Sequence, residues 1–472
     1  MVLLVRIMTQ FLFTTALVLS SFTSLASQPI AIKTPKPLVS TQSEIFYAFD
    51  NELKKLAVVD VKQQTSNELS MPKDAIGFDY ATSANYPTPQ AWVLTPKGVF
   101  SSHKEHHTPL ISTSSLFTHL KMKNFNKIEF VLDANNDGLS DIMLQGISDA
   151  TLYVQSKTGQ FTPHTFAKQS DLSGYFKGSQ LEVEIELNPK PQVIDLNQDG
   201  MLDLLFHTRY QAQVLYARKE GYDTELTPLN LPVKLGLLED GGKRRIYALK
   251  DINNDGFVDL ITRQAPRTKG MDAIKVETSY ALYPGKALGQ FHLKKLFLPS
   301  TNGTGQLRFD YDFDGDGKME LQRFEADFGF ATIAAMALSG GSTDIDIDVG
   351  FYKQSNEYYP AKPTLEREVE MEINMNGNDR IMSFFIGDVN GDGKHDIVLR
   401  NSRKTLSIYL GQEDTLLSEK RTKIKHRLPK NSNDILLVDI NADGKDDFVL
   451  KFTDKKGNST VQTIINWAYL SV

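Results

Sequence analysis

Six short segments of this 472-residue chain carry the side chains best placed to do chemistry. The first is Asp133-Ala134-Asn135-Asn136-Asp137-Gly138-Leu139-Ser140-Asp141, with acids at positions 1, 5 and 9, an oxygen-bearing side chain at 3 and Gly at 6. The pattern recurs over 195–203, 251–259, 312–320, 388–396 and 439–447. A hard divalent cation takes six to eight oxygens at about 2.3–2.6 Å. A tight curl would bring positions 1, 3 and 5 to one centre, and Gly at 6 permits the positive φ of that curl. Position 7 then offers a carbonyl, which leaves its side chain free to vary, and the acid at 9 closes the cage. The expected ligand sets are Asp133, Asn135, Asp137, Leu139 and Asp141; Asp195, Asn197, Asp199, Met201 and Asp203; Asp251, Asn253, Asp255, Phe257 and Asp259. The other three are Asp312, Asp314, Asp316, Lys318 and Glu320; Asp388, Asn390, Asp392, Lys394 and Asp396; Asp439, Asn441, Asp443, Lys445 and Asp447. None contains His or Cys, which softer metals prefer, so about six Ca2+ ions are expected. The alternative is a set of metal-free Asx turns. That alternative leaves three carboxylates within ~5 Å, repelling by a few kcal/mol per pair at an effective dielectric near 20.

The elements that must position these loops are strands. Ile128 to Leu132 and Ile142 to Leu144 flank the first loop, and Ile435 to Val438 and Phe448 to Leu450 flank the last. Short apolar runs rich in β-branched residues read as buried strands. An EF-hand is excluded, because it needs Glu at position 12 and flanking helices. Position 12 is Leu144, Phe206, Thr262, Arg323, Leu399 and Leu450. Each loop is therefore read as a hairpin turn. A tyrosine-bearing strand follows several hairpins, as at Tyr153, Tyr216, Tyr283 and Tyr409. About four strands per repeat of about 60 residues suggests the antiparallel blades of a propeller.

The fold class expected is all-β, a seven-bladed β-propeller, with eight blades as the nearest rival. The seventh blade lacks acids and starts near Ala75-Ile76-Gly77-Phe78. Strands within 45–62 are expected to complete the last blade and so remove an open edge. The wider spacing between the fourth and fifth loops points to an insertion at about 325–345, with a short helix near 328–341.

The loops and tyrosine-bearing strands resemble FG-GAP or VCBS repeats, which build the propeller head of integrin α-subunits and many secreted bacterial proteins. The resemblance spans about 125–450. It implies calcium at loop positions 1, 3, 5, 7 and 9, and it implies no single partner. Glu320, where the family has Asp, departs from the pattern.

Residues 1–26 hold one charge, Arg6, an apolar run and Ser24-Leu25-Ala26, and read as a secretory signal peptide ahead of a propeller over 27–472. No Cys is present, and no other apolar run is long enough to span a membrane. The net charge of -6, with no basic stripe, argues against a nucleic-acid partner. No hydrolase, nucleotide-binding or zinc-protease motif occurs, so no catalytic residue is assigned. His103, Glu105, His106 and His107 read as a solvated loop, Trp92 and Trp467 as packing residues, and Tyr358 and Tyr359 as exposed sugar-stacking candidates. The expected role is a secreted or periplasmic binding or adhesion scaffold with structural calcium, its partner a protein or glycan. The alternatives are a lectin-like glycan binder and a polysaccharide lyase or hydrolase.

Overall fold

The computed structural model describes residues 30–32, 38–42, 45–50, 55–60, 65–102, 109–112, 126–146, 148–169, 171–177, 180–186, 191–268, 276–303, 305–326, 342–355, 359–374, 384–402, 404–430, 432–439, 443–453 and 459–464. These form four-stranded antiparallel sheets that follow one another along the chain. Blade 1 is Leu38–Gln42, Ile45–Asp50, Lys55–Asp60 and Thr65–Ser70. Blade 2 holds Gly77–Ser83, Tyr86–Thr95 and Gly98–Ser101, with Asn126–Lys127 added in parallel. Blade 3 runs from Val131–Leu132 to Phe161–Ala167, and blade 4 from Gln192–Ile194 to Thr227–Pro228. Blade 5 is centred on Lys243–Lys250, Asp259–Ala265 and Glu277–Tyr283. Blade 6 runs from Gln306–Tyr311 to Leu365–Asn374, and blade 7 from Phe384–Gly387 to Thr422–Lys425. Blade 8 is Ile435–Val438, Asp447–Thr453 and Ser459–Ile464, completed by Ile30–Ile32.

Apolar runs arise because the middle strands bury both faces. In blade 4, Leu204 packs toward Phe166 of blade 3, while its neighbour Leu205 packs toward Ile246 of blade 5. In blade 5, Leu260 faces blade 4 and Ile261 meets Leu307 and Phe309 of blade 6. Val398 of blade 7 packs with Phe448 and Leu450 of blade 8. Each buried aliphatic or aromatic side chain contributes about 1.5–3 kcal/mol, so the stability of a blade lies mainly in its neighbours. The Ile30–Ile32 strand of blade 8 also lies beside Thr65–Ser70 of blade 1, which closes the series. Sheets packed face to face in chain order and closed on themselves are a β-propeller.

Two expectations need correction. Among the described residues there are eight blade sheets, seven of four strands and blade 5 of six, where seven blades are expected. Ile45–Asp50 and Lys55–Asp60 do not complete the last blade; they pair with each other inside blade 1. The physical reason is that the chain's last segment already supplies three strands, so three residues at 30–32 are enough to close blade 8. The strands at 45–62 are then left to build a blade of their own, and that blade has no acidic loop to announce it. The insertion expected at 325–345 is narrower. Glu325 and Ala326 end the Glu320–Ala326 strand, and the Ser342–Tyr352 strand begins before 345. The helix near 328–341, the signal peptide, the His103–His107 group, Tyr358 and Trp467 lie outside the described residues. Trp92 is buried in the blade 2–3 interface, edge-on to Phe161 at 5.7 Å. Tyr359 is buried too, its hydroxyl donating to the Met319 carbonyl at 2.6 Å, so it offers no sugar platform.

Candidate metal centres

All six acidic segments are turns between the first two long strands of a blade. In the first loop, Asp133 accepts the amides of Asp137 at 3.1 Å and Gly138 at 2.9 Å. Asn135 Oδ1 accepts the Asp137 amide and its Nδ2 donates to Asp137 Oδ2. Asp137 Oδ1 in turn accepts the Leu139 amide at 2.9 Å. The same set recurs around Asp195, Asp251 and Asp388. In the sixth loop Asp439 accepts from Asp443 and Gly444; Asn441 lies outside the described residues. The structure thus draws positions 1, 3 and 5 onto shared amides, as the spacing requires. Position 7 enters through its amide, which donates to the acid at 5.

The curl needs two left-handed residues, where one is expected. Gly138 has φ of 82°, and Asn136, two residues earlier, has φ of 56°. The fourth and fifth loops place Gly315 and Gly391 at that earlier position. Asn tolerates this region better than most residues, but Gln198 carries no such signal, and the requirement is not legible from it.

Position 9 is a buried cross-brace. Asp141 is fully buried; one oxygen accepts the Ala134 amide at 2.9 Å and the other the Gln155 amide at 2.8 Å. Asp203, Asp259 and Asp396 repeat this with Leu196 and Ala217, Ile252 and Gly285, and Val389 and Gly411. In these four loops the brace ties the start of the loop to the end of the blade's third strand. Burial pushes the Asp141 carboxyl up to about 6, and Asp259 and Asp396 up to about 7; their backbone donors oppose the shift, and the acids at positions 1 and 5 add to it.

The fourth loop is different. Glu320 accepts the Phe313 amide through Oε2 at 2.8 Å, while its buried Oε1 has no hydrogen-bond partner. Asp312, Asp314 and Glu320 bring carboxylate oxygens within 4.8 Å of one another, the one such trio among the described residues. Burial, then the acids at 314, 312 and 316, push Glu320 up to about 8. Lys353 Nζ reaches Asp314 Oδ2 at 2.7 Å, aligned as an ion pair rather than a hydrogen bond.

Neighbouring loops are stitched together. The Met319 amide donates to Ile252 O, His395 to Asp312 O and Asp446 to Asp388 O, at 2.9, 2.8 and 2.6 Å. Position 8 of one loop thereby holds position 1 or 2 of the loop before it. The third to sixth loops so form a continuous acidic belt at one end of the molecule. Oxygen-only donor sets, a buried carboxylate oxygen left unsatisfied and clustered like charges fit a hard divalent ion such as calcium.

Fold and site together define a β-propeller with acidic hairpin loops. Residues 371–450, which hold the fifth and sixth loops, match the FG-GAP-like repeat, so that part of the propeller carries this repeat. Among solved structures it is similar to an Agrocybe aegerita lectin that recognises non-reducing terminal N-acetylglucosamine (14% identity, 83% of this chain and 98% of that one, TM-score 0.41). It is also similar to the Nup133 β-propeller domain of Vanderwaltozyma polyspora (11%, 82% and 96%, TM-score 0.38). A third similar structure is the V. cholerae biofilm matrix protein Bap1 (11%, 89% and 74%, TM-score 0.26). No curated protein matches the sequence.

Proposed function

We propose that this protein is a calcium-stabilised binding scaffold that acts outside the cytoplasm and carries no catalytic role. The observation that supports it is the belt: acidic loops of recurring hydrogen-bond geometry, stitched together from the third to the sixth, whose position-9 acids are buried and whose position-1 acids are half-buried. Metal at these loops neutralises the clustered charge and fixes the end of each blade. A site saturated ten-fold adds about 1.4 kcal/mol, so six add up to ~8 kcal/mol at most, comparable with the stability of a whole domain. Among the described residues no helix is long and apolar enough to cross a membrane. The experiment is thermal unfolding with calcium and with chelator: a drop of many degrees supports the reading, and a drop of one or two would overturn it.

A glycan partner is favoured by one specific feature. A cleft of about 440 Å³ between blades 3 and 4 is lined by Lys168, Gln169, His207, Thr208, Gln211 and Gln213. Lys168 lies 5.4 Å from the Phe206 ring centroid and donates to Gln145. Amides, hydroxyls and one cation are groups suited to sugar hydroxyls. Retention on a glycan array, lost in Gln213→Leu, tests it.

A further inference from the structure

The end of blade 5 opposite its acidic loop carries a row of cations. Arg245 on the Lys243–Lys250 strand is paired in register with Arg263, and Arg263 with Tyr280 on the next strand. Residues opposite one another in an antiparallel ladder share a face, with Cβ atoms about 4.5–5.5 Å apart, and like charges there are destabilising. Arg209 joins them from blade 4, whose carbonyl takes the Ile246 amide at 2.8 Å. No ion pair reaches Arg209, Arg245 or Arg263 among the described residues, and the buried Nε of Arg263 has no hydrogen-bond partner. Burial, then Arg263 and Arg209, lower the Arg245 pKa. One register step outward on the same face stand Lys243 and Ala265, which line a cleft of about 460 Å³ with Arg267, Pro266 and Leu237. The carboxylates of that turn, Glu239 and Asp240, are exposed, and Asp240 is engaged by the Gly242 amide.

Arg245 and Arg263 are half-buried and Arg209 is exposed beside them; guanidiniums set side by side with no protein carboxylate repel one another, and an arriving anion relieves that repulsion. We infer that Arg209, Arg245 and Arg263 form an oxyanion-binding site that takes a carboxylate- or sulfate-bearing saccharide. The guanidinium fork matches either group in a bidentate manner. Tyr210, half exposed beside Arg209, offers a ring face at the rim. A compact row with a short outward cleft suits one anionic residue of a chain; a nucleic acid needs an extended basic stripe. The saccharide class rests on the extracellular scaffold reading, whereas the oxyanion site does not.

The test titrates the full chain with sodium sulfate, a sulfated disaccharide and a galacturonate oligomer, following melting temperature and heat of binding. A saturable rise is expected, with affinity at least about ten-fold weaker in Arg263→Met. Arg245→Met should melt higher than the parent without sulfate, because it removes like-charge repulsion, and should lose the saturable response. Lys423→Met, at an exposed site in blade 7, controls for general salt effects and should respond like the parent. An unchanged sulfate response in both arginine variants would overturn the site. Tighter competition by single-stranded DNA than by either saccharide would overturn the ligand class. Calcium content, read on the same samples, separates this outcome from failure of the scaffold proposal.

Discussion

The ammonium of Lys353 lies 2.7 Å from Oδ2 of Asp314, although the two are far apart in the sequence. Five loops carry Asp, Asn, Asp and Asp at positions 1, 3, 5 and 9, a formal charge of -3. The fourth carries Asp312, Asp314, Asp316 and Glu320, a charge of -4. Lys353 brings it back to the common value, and it is held in place by donating to the Glu413 carbonyl at 2.6 Å. Lys318 does not account for the difference, since Lys394 occupies the same position in the fifth loop and makes the same long contact to its own loop.

Lys353→Met should therefore destabilise the calcium-free protein by about 1–2 kcal/mol, because it strands a buried carboxylate. Saturating calcium should shrink that loss, and Asp314→Asn in the same chain should restore stability. Chemical denaturation with and without calcium reads this directly. An equal loss in both conditions, unrelieved by Asp314→Asn, would show that Lys353 acts through packing alone.

Asp259→Ala should cost about 2–4 kcal/mol, since it leaves the buried amides of Ile252 and Gly285 without an acceptor. Asp259→Asn keeps one acceptor oxygen and should cost less. Urea midpoints at constant m-value would check the order; equal losses would mean the brace is not what the carboxylate provides.

Trp92 fills the space between blades 2 and 3, and its indole N–H has no partner. Trp92→Ala should cost about 3–5 kcal/mol through the cavity it leaves. Trp92→Phe should cost under about 1.5 kcal/mol. A large loss in the Phe variant would point to an unrecognised role for the indole nitrogen.

His207, beside the cleft between blades 3 and 4, has its pKa lowered chiefly by burial. The unfolded chain then binds the proton more readily than the folded one. Its contribution to stability is full above the unfolded value near 6.5 and falls away as pH drops below it. His207→Gln should flatten the fall in stability between pH 7 and 5. An unchanged slope in the variant would assign that fall to other groups.

Much of this was legible from composition along the chain. The acids at 1, 5 and 9, the Gly at 6 and the flanking apolar runs are local signals, so the hairpins and the propeller follow from short-range pattern. Blade 1 was hidden because its strands carry no acidic turn, and only pairing across the ring shows where Ile30–Ile32 belongs. Lys353 was hidden for a similar reason: its partner is distant in sequence and meets it only once the strands of blade 6 pair. The brace at position 9 was read as a ligand alone, because spacing reveals an acid but not the two amides that Asp141 holds. Arg245 and Arg263 are 18 residues apart in sequence, and only the strand ladder sets them side by side.

Bound calcium per chain, measured by elemental analysis after equilibration in millimolar calcium and desalting without chelator, bears most directly on the belt of acidic loops. Close to six ions per molecule is the number expected from six repeated cages. Less than one ion per molecule would mean that hydrogen bonds and Lys353 alone hold these carboxylates together, and the calcium-stabilised scaffold would be withdrawn.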